Sequence, residues 1–451
     1  MGHHVVVGAG RSGLAVARHL AGTGQRTVLT DARCEPDAAS EAALAGLGVL
    51  AVWGAHPDGI LEEAESVVLS PGVSPALPFV QSARERGIPV FGEVELAHRV
   101  LRARGDGSRI LAVTGTNGKS TTTDLLAHLL RAAGLPTKAC GNLGTPFLEA
   151  LGDAAPGTVY ALECSSYQLE TVDTFHAEGA ALLNLTADHL ARHGTLEAYL
   201  AAKQRIFGHQ TKEDLRVLPA AHAELGAGAP GQGATATFGW SDPEGPGAWC
   251  DGAGKLWLRG SGGSAEALVH RDELLIPGDH NVENALAAVL LARHGGAGLD
   301  ALREGLRTYP GLAHRIAFCG ERNGVKAYND SKGTNVDATL IAIRALPGPL
   351  VLLLGGTDKG ASYAPLIAAL EGKLRRLVLL GEAVPQLTRD LGHLPHDVVP
   401  AFDDAVRHAL ALAQPSDQVL LSPACASFDQ FRNFEERGER FEALVRSWTD
   451  S

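Results

Sequence analysis

Long apolar runs are missing from this chain of 451 residues: no stretch reaches the roughly 20 residues needed to cross a bilayer. The start, Met1-Gly2-His3-His4-Val5, also lacks the basic and apolar segments of a secretory signal, so a cytoplasmic protein without membrane insertion is expected. Cysteine is sparse. Cys34, Cys140, Cys164, Cys250, Cys319 and Cys425 follow no paired spacing, which excludes a recognisable disulfide framework or zinc cluster and leaves reduced thiols. Basic excess is absent too, since 39 Lys plus Arg face 51 Asp plus Glu for a formal charge of −12, the wrong sign for a general nucleic-acid binder. No repeat of solenoid period is present. What the chain has is length, enough for about three domains at ~150 residues each.

Its clearest positive signal runs from Ile110 to Thr121, where an apolar strand ends in T-G-T-N-G-K-S-T. Backbone N–H groups exposed by Gly115 and Gly118 suit phosphate oxygens, Lys119 supplies a point charge, and the Ser120 hydroxyl can reach magnesium. Leu125, Leu126, Leu129 and Leu130 then recur at helical spacing, and Gly134 and Pro136 stop the helix. The strict phosphate-loop pattern wants glycine five residues before Gly118, where this chain has Val113. An ordinary Gly-containing turn with a solvated lysine is the bland alternative; ATP is the default ligand.

A first αβ region opens with His3 to Gly13, a strand followed by G-x-G-x-x-G and a helix through Leu20, and Val28 to Asp31 reads as a second strand ending in an acid. The glycines serve equally for close helix–strand packing, and a redox dinucleotide is only one of several ligands this turn accepts. Ser66 to Gly72 adds a strand with a turn at its carboxyl end, and Arg102 to Arg109 reads as a linker.

In the second region Glu163 closes the strand Val159 to Glu163, a position from which a carboxylate can bind magnesium or simply face solvent. Ala180 to Leu185 is a similar strand, followed by Asp188 and His189. His189 and His193 stand four apart without the glutamate of a metalloprotease pair, so His193 is read as a satisfied or solvated histidine and His189 as a credible ligand. Asn184-Leu185-Thr186 fits a glycosylation acceptor by accident. Lys203 is anomalous, because the helix Glu197 to Phe207 puts Tyr199, Leu200, Ile206 and Phe207 around it and no carboxylate. Its stem can snorkel along apolar surface, or a desolvated neutral amine can add carbon dioxide to become an anionic carbamate. Residues 221 to 265 read as short strands and turns, and Asn281 and Asn284 at a helix start suit either nucleotide contact or capping.

The third region begins near Pro310 and holds strands at Leu350 to Leu354, Leu377 to Leu380 and Val419 to Leu421, with the turns Gly355 to Gly360 and Ser422 to Phe434 expected on one edge. Before them, Asp330, Lys332, Thr334 and Asn335 gather in a turn that capping alone would also explain.

In order, T-G-T-N-G-K-S-T, E-C-S-S-Y-Q-L-E, the D-H at Asp188, A-A-K-Q-R-I, H-N-V-E-N-A-L-A-A, the H-R at His314 and N-D-S-K-G-T-N resemble the successive motifs of the Mur ligases of peptidoglycan synthesis, over nearly the whole chain. S-P-A-C-A-S-F-D-Q-F-R-N-F-E-E-R, from Ser422 to Arg437, is similar to the D-glutamate-adding members in particular. The resemblance implies an α/β chain of three domains: a Rossmann-like N-terminal domain (1–106), a central phosphate-loop ATPase-like domain with a mostly parallel sheet (107–309) and a Rossmann-like C-terminal domain (310–451). It implies a uridine diphosphate substrate, UDP-N-acetylmuramoyl-L-alanine, on Arg11, Ser12, Asp31, Arg33 and Asn142. ATP would lie on Gly115, Thr116, Asn117, Gly118, Lys119, Ser120, Thr121, Asn281, His314, Arg315 and Asp330. Magnesium, as two ions, would lie on Ser120, Glu163, His189 and a Lys203 carbamate formed from carbon dioxide. D-Glutamate would lie on His189, Lys332, Thr334, Lys359, Ser427 and Phe434, with spacing around Lys359 variable among relatives. Lys119, His189 and Lys203 would be the catalytic groups of a monomeric enzyme acting on small molecules. Another ATP-dependent amino-acid ligase, such as a folylpolyglutamate synthase, and a regulator that hydrolyses ATP to switch shape are the competing expectations.

Overall fold

The protein is described here from a computed structural model covering residues 2–186, 188–358, 360 and 362–450, with Ala39 by its backbone alone. Lys359 lies outside the described residues. The chain forms two compact units, the first made of residues 1–273 and 282–307, the second of 274–281 and 308–451. Among the described residues the first unit carries two sheets and the second one. No helix among them is long and apolar enough to cross a membrane.

The first sheet contains β1 (His3–Val7), β2 (Thr27–Asp31), β3 (Leu50–Trp53), β4 (Ala64–Leu69) and β5 (Val90–Gly92) in the order β3-β2-β1-β4-β5, all parallel. Val5, Val6 and Val7 are fully buried, as a strand covered on both faces requires. The helix Arg11–Gly22 follows β1 directly. A Cβ on Gly13 would overlap the Gly8 carbonyl, so this glycine serves the close approach of helix and strand. The order reverses between β1 and β4, and a cleft opens there.

The second sheet contains β6 (Arg109–Thr114), β7 (Thr137–Gly141), β8 (Val159–Glu163), β9 (Gly179–Leu182), β10 (Leu215–Pro219), β11 (Ala234–Gly239), β12 (Gly247–Cys250), β13 (Lys255–Arg259) and β14 (Glu266–His270). Their order is β14-β13-β12-β11-β10-β9-β6-β8-β7, parallel until β12 and antiparallel through β13 and β14. β6 lies between β9 and β8, so the loops leaving β6, β8 and β9 border one crevice. Residues 221–265 are short strands and turns, as their composition indicates, except that a 3-10 helix, Ala220–Gly226, opens the segment.

Arg102 to Arg109 is less of a linker than expected, because the helix Glu93–Arg104 continues to a left-handed cap at Gly105. That helix joins the two sheets of the first unit through buried carboxylates with opposite fates. Glu95 accepts from the amides of Asp173 (2.9 Å) and Thr174 (3.0 Å), the Thr174 hydroxyl (2.6 Å) and Arg99 (2.8 Å). Burial alone would raise its pKa, yet these bonds hold it below the ordinary value. Glu93 accepts from the Leu148 amide at 2.6 Å through one oxygen, its other oxygen is unpartnered, and burial lifts it to about 7. Between the unfolded carboxylate pKa and 7 the folded state therefore holds a proton that the unfolded state has lost, so stability falls as pH rises through this window. Glu93→Gln is expected to melt above the parent at pH 8 and close to it at pH 5; thermal denaturation at the two pH values checks this, and a pH-independent difference would contradict it.

The third sheet contains β15 (Ala317–Arg322), β16 (Val325–Asn329), β17 (Leu350–Gly355), β18 (Leu374–Leu380), β19 (His396–Val398) and β20 (Gln418–Leu421) in the order β15-β16-β20-β17-β18-β19. Only β15 and β16 pair antiparallel. Its strands bury a near-continuous apolar set, Leu350 to Leu354 and Val419 to Leu421 among them. The order reverses between β20 and β17, and their following loops meet, since Thr357 bridges Ala426 and its amide donates to the Ala426 carbonyl at 2.9 Å. The expectation that both turns open on one edge holds.

Candidate active site

In the first unit the Gly115–Gly118 loop leaves β6 and enters the helix Lys119–Ala132. Gly118 adopts φ 82°, and a Cβ there would overlap the Asn284 carboxamide, so glycine is required on both counts. Asn284 also accepts from the Thr122 hydroxyl at 3.2 Å, which assigns it to the support of this loop. Lys119 Nζ donates to the carbonyls of Gly115 (3.1 Å) and Thr116 (2.8 Å), folding the lysine back over its own loop.

Lys203 reaches the same place. It sits on the helix Leu196–Gln204, is 1% exposed, and donates to the Gly115 carbonyl at 2.7 Å with Nζ 4.4 Å from the centre of the Tyr199 ring. Burial, helped by the Lys119 charge, lowers its pKa to about 7. The snorkelling alternative is thereby overturned: the amine points inward, and much of it is neutral at physiological pH.

Glu163 ends β8 and is buried. One carboxylate oxygen accepts from Asn142 Nδ2 at 2.7 Å; the other is buried with no hydrogen-bond partner. An orphaned buried anionic oxygen is the observation that fits a cation at this point. Among the described residues no three His, Cys, Asp or Glu side chains converge as a metal cluster.

His189 caps the short helix Leu190–His193 in the left-handed region, with its side chain half exposed and 3.4 Å from Asp188. His193 behaves as the satisfied histidine expected, with Nε2 3.0 Å from the Ser166 hydroxyl and Nδ1 3.2 Å from Glu170. Arg192, between them, bonds Glu170 at 2.7 Å and the Val73 carbonyl at 3.0 Å. Val73 lies in the loop that follows β4 of the first sheet.

The edge of the first sheet holds a cleft of about 320 Å³ lined by Gly8, Gly10, Arg11, Ser12, Asp31 and Ser70 to Val73. A neighbouring cleft of about 380 Å³ adds Arg33, Asp37 and Ser40. Asp31 accepts from the Ala9 amide at 2.6 Å and from the Arg33 amide (2.9 Å) and Nε (3.1 Å). Burial opposes ionisation, but these donors keep its pKa below the ordinary value. Asp31 thus ties the glycine turn to Arg33, and four of the five residues expected at a uridine diphosphate line one rim. Asn142 is the exception; it stands beside Glu163.

Asn184 is the residue missed in this unit. Its carboxamide oxygen accepts from the amides of Thr116 (3.1 Å) and Asn117 (2.8 Å), and its nitrogen donates to the Asn117 carbonyl at 3.1 Å. Two amides of the expected phosphate cradle are therefore engaged by protein. In the sequence it stood inside the expected strand Ala180 to Leu185, whereas β9 ends at Leu182 and leaves Asn184 in the loop beyond it.

In the second unit Asn281 donates to the Pro277 carbonyl at 2.7 Å, a local bond of the capping kind. His314 is buried, 2.9 Å from Asn329 Nδ2 and edge-on to Phe434. Arg315, its neighbour, is exposed. Asp330 is buried against the Ser422 hydroxyl at 2.6 Å, and burial raises its pKa to about 7. Lys332 Nζ stands 5.2 Å from the centre of the Phe434 ring, and the Thr334 amide donates to the Lys332 carbonyl at 2.8 Å. Ser427 is buried with its hydroxyl unpartnered. Capping accounts for Asn335, which receives the Ala338 amide at 2.8 Å, but not for Asp330 or Lys332.

A nucleotide-loop ligase is the class this combination defines, and family models match three consecutive parts of the chain: the Mur ligase MurD-like N-terminal domain over residues 2–92, the Mur ligase middle domain over 113–292, and the Mur ligase glutamate ligase domain over 314–425. The chain belongs to the Mur ligase family. It is 43% identical to the UDP-N-acetylmuramoylalanine–D-glutamate ligase of Anaeromyxobacter dehalogenans, covering 98% of this chain and 96% of that one, and 41% identical to the protein of the same name from Myxococcus xanthus, covering 98% of each. Among solved structures, a UDP-N-acetylmuramate–alanine ligase from Thermotoga maritima matches with a TM-score of 0.58 at 20% identity, over 99% of both chains. A MurF ligase from the same organism in complex with ADP matches with a TM-score of 0.57 at 15% identity, over 94% of this chain and 96% of that one. The three-domain α/β fold expected is the fold they share.

Proposed function

We propose that the protein joins D-glutamate to UDP-N-acetylmuramoyl-L-alanine in an ATP-dependent reaction that releases ADP and phosphate, a step of peptidoglycan synthesis in the cytoplasm. The observation that carries the chemistry is the convergence of Lys119 and Lys203 on the Gly115 carbonyl at the end of β6. The choice of acceptor is supported by relatives of that name over nearly the full length, one of them 43% identical. Domain boundaries at 106/107 and 309/310 follow from the same reading, as does a monomer.

A free carboxylate is a poor acyl donor, and phosphorylation supplies its leaving group. Attack of an L-alanyl carboxylate oxygen on the γ-phosphorus expels ADP and leaves an acyl phosphate. Lys119 offsets the charge of the two approaching anions, and the amides of the 115–121 segment that remain available orient the phosphates. Magnesium, probing the same anions as a Lewis acid, would be held by Ser120, Glu163, His189 and a carbamate on Lys203; the unpartnered Glu163 oxygen and the near-neutral buried amine suit those roles. The D-glutamate amine then attacks the acyl carbon, the nitrogen loses a proton, for which His189 is the nearest base when its ring nitrogen is not engaged by metal, and the tetrahedral intermediate expels phosphate. Gly115, Thr116, Asn117, Gly118, Ser120, Thr121, Asn281, His314, Arg315 and Asp330 are assigned to ATP. Arg11, Ser12, Asp31, Arg33 and Asn142 are assigned to the uridine substrate, and Lys332, Thr334, Lys359, Ser427 and Phe434, with His189, to D-glutamate. The Arg192–Val73 bond supports the uridine assignment, because it joins the cleft of the first sheet to the His189 segment.

The test is phosphate release from ATP and magnesium with UDP-N-acetylmuramoyl-L-alanine, comparing D-glutamate, L-glutamate, L-alanine and meso-diaminopimelate, with product masses recorded. Turnover confined to D-glutamate with one added glutamyl unit is expected. Turnover with another acceptor would move the specificity, and acceptor-independent hydrolysis would favour a regulator.

A further inference from the structure

Asn142, expected on the uridine substrate, lines neither cleft of the first sheet. It follows β7 directly and is tied to Glu163 twice. Its backbone amide donates to the Glu163 carbonyl at 2.9 Å, and its side-chain Nδ2 donates to the Glu163 carboxylate at 2.7 Å. The preceding residue serves the same approach. Gly141 adopts φ 93°, donates its amide to the Thr145 carbonyl at 2.8 Å, and would drive a Cβ into the Glu163 carbonyl. Since Gly141 and Glu163 are paired across β7 and β8, the chain leaves β7 directly beside the end of β8.

The two side chains differ in exposure. Glu163 is 1% exposed, whereas Asn142 is exposed. Asn142 occupies one carboxylate oxygen, Oε1, and the other, Oε2, is buried without a partner. A bond that served only to compensate burial would leave this second oxygen as costly as before, and native structures rarely leave such an atom unsatisfied. Holding Oε1 while leaving Oε2 bare fixes the plane of the carboxylate and the direction of its remaining lone pairs. That is the relation between a metal-ligating carboxylate and the group that orients it. The diphosphate of a uridine substrate gains nothing from the arrangement, because an anion is repelled by an unpaired carboxylate oxygen.

The geometry points to Asn142 as a positioning residue of the cation site: it holds Oε1 of Glu163 and thereby presents Oε2 to magnesium. The inference rests on the reading of Glu163 as a magnesium ligand, and it gives Asn142 a role apart from the uridine contact.

The test is manganese(II) binding to the full-length protein, with manganese standing in for magnesium and the free ion counted by its electron paramagnetic resonance signal, so that no turnover is needed. Asn142→Ala is expected to raise the manganese dissociation constant about tenfold or more. Glu163→Gln is expected to raise it too, and in that background Asn142→Ala should add less than about twofold, because the asparagine acts through the carboxylate. Steady-state rates give a second reading: the magnesium concentration for half-maximal turnover rises in Asn142→Ala by a similar factor. An unchanged manganese constant in Asn142→Ala would leave the asparagine a turn former or a substrate contact and overturn the proposal. A tenfold loss that persists in the Glu163→Gln background would overturn it as well. Because Asn142 is exposed, its truncation removes no core packing; should the turn be disturbed nonetheless, Asn142→Ser, too short to reach the carboxylate, is expected to give the same rise. A parent that binds no manganese, or a Glu163→Gln variant that binds it as tightly as the parent, would instead overturn the cation reading of Glu163 itself, and the proposal with it.

Discussion

Lys119→Ala is expected to abolish ATP-dependent phosphate release, by about 10³-fold or more, while the protein melts within a few degrees of its parent. The large loss follows from where the charge is needed. Bringing an L-alanyl carboxylate against a triphosphate opposes two anions, and Lys119 is the cation anchored on the loop itself, through the Gly115 and Thr116 carbonyls. The small thermal effect follows from the loop's other supports. Asn184 holds the amides of Thr116 and Asn117, and Asn284 stands against Gly118 and Thr122, none of which depends on the lysine. A rapid-quench search for acyl phosphate, beside a melting curve, separates the two effects. An inactive variant that has also unfolded would show nothing about catalysis, whereas a folded variant that still turns over would place the phosphate site elsewhere.

The same loop shows which parts of this protein can be read along the chain. An apolar strand that stops at Gly115 and a leucine-striped helix after Lys119 are local features, so strand, loop and helix were all legible. Lys203 was legible as an anomaly, because four apolar neighbours at helical spacing leave an amine nowhere comfortable to go. Its partner was not, since the Gly115 carbonyl lies 88 residues earlier and only the pairing of β6 with β9 and the packing of the 196–204 helix bring the two together. Asn184 shows the same limit from the other side. In the chain it looked like an accidental sugar acceptor, and its role depends on β9 lying beside β6.

Arg437 was hidden more thoroughly. It sits in F-E-E-R-G-E-R, a run whose charges suggest a solvated helix face, yet its side chain is 1% exposed. The one local hint is Gly438, where a Cβ would overlap the His314 ring, so the helix must approach its neighbours closely at this turn. Sheet orders were beyond reach of the motifs as well. The carboxyl-end rule correctly predicted that the loops after β17 and β20 meet, but the insertion of β20 between β16 and β17 is a property of the whole third sheet.

Lys203→Ala is the second variant with a large expected effect, a loss of about 10² to 10³ in turnover that millimolar acetate or propionate partly restores. The restoration is the informative part. If Lys203 acted only as a buried cation or a packing element beside Tyr199, an added anion would have nothing to replace. If the amine carries carbon dioxide as a carbamate, a short carboxylate supplies the same anionic oxygens in the space the side chain vacates. The buried amine makes this chemistry accessible, because its pKa of about 7 leaves much of it neutral and nucleophilic where an ordinary lysine is almost wholly protonated. Stability offers an independent check in buffer freed of carbon dioxide. The unfolded lysine holds its proton up to its ordinary value while the folded one loses it near 7, so the parent should gain stability as pH rises through this window, and Lys203→Met should lack that gain. A fully active Lys203→Ala would rule out the carbamate. Equal rescue of Lys119→Ala by the same carboxylates would show that they act on the loop's surroundings rather than in the place of Lys203.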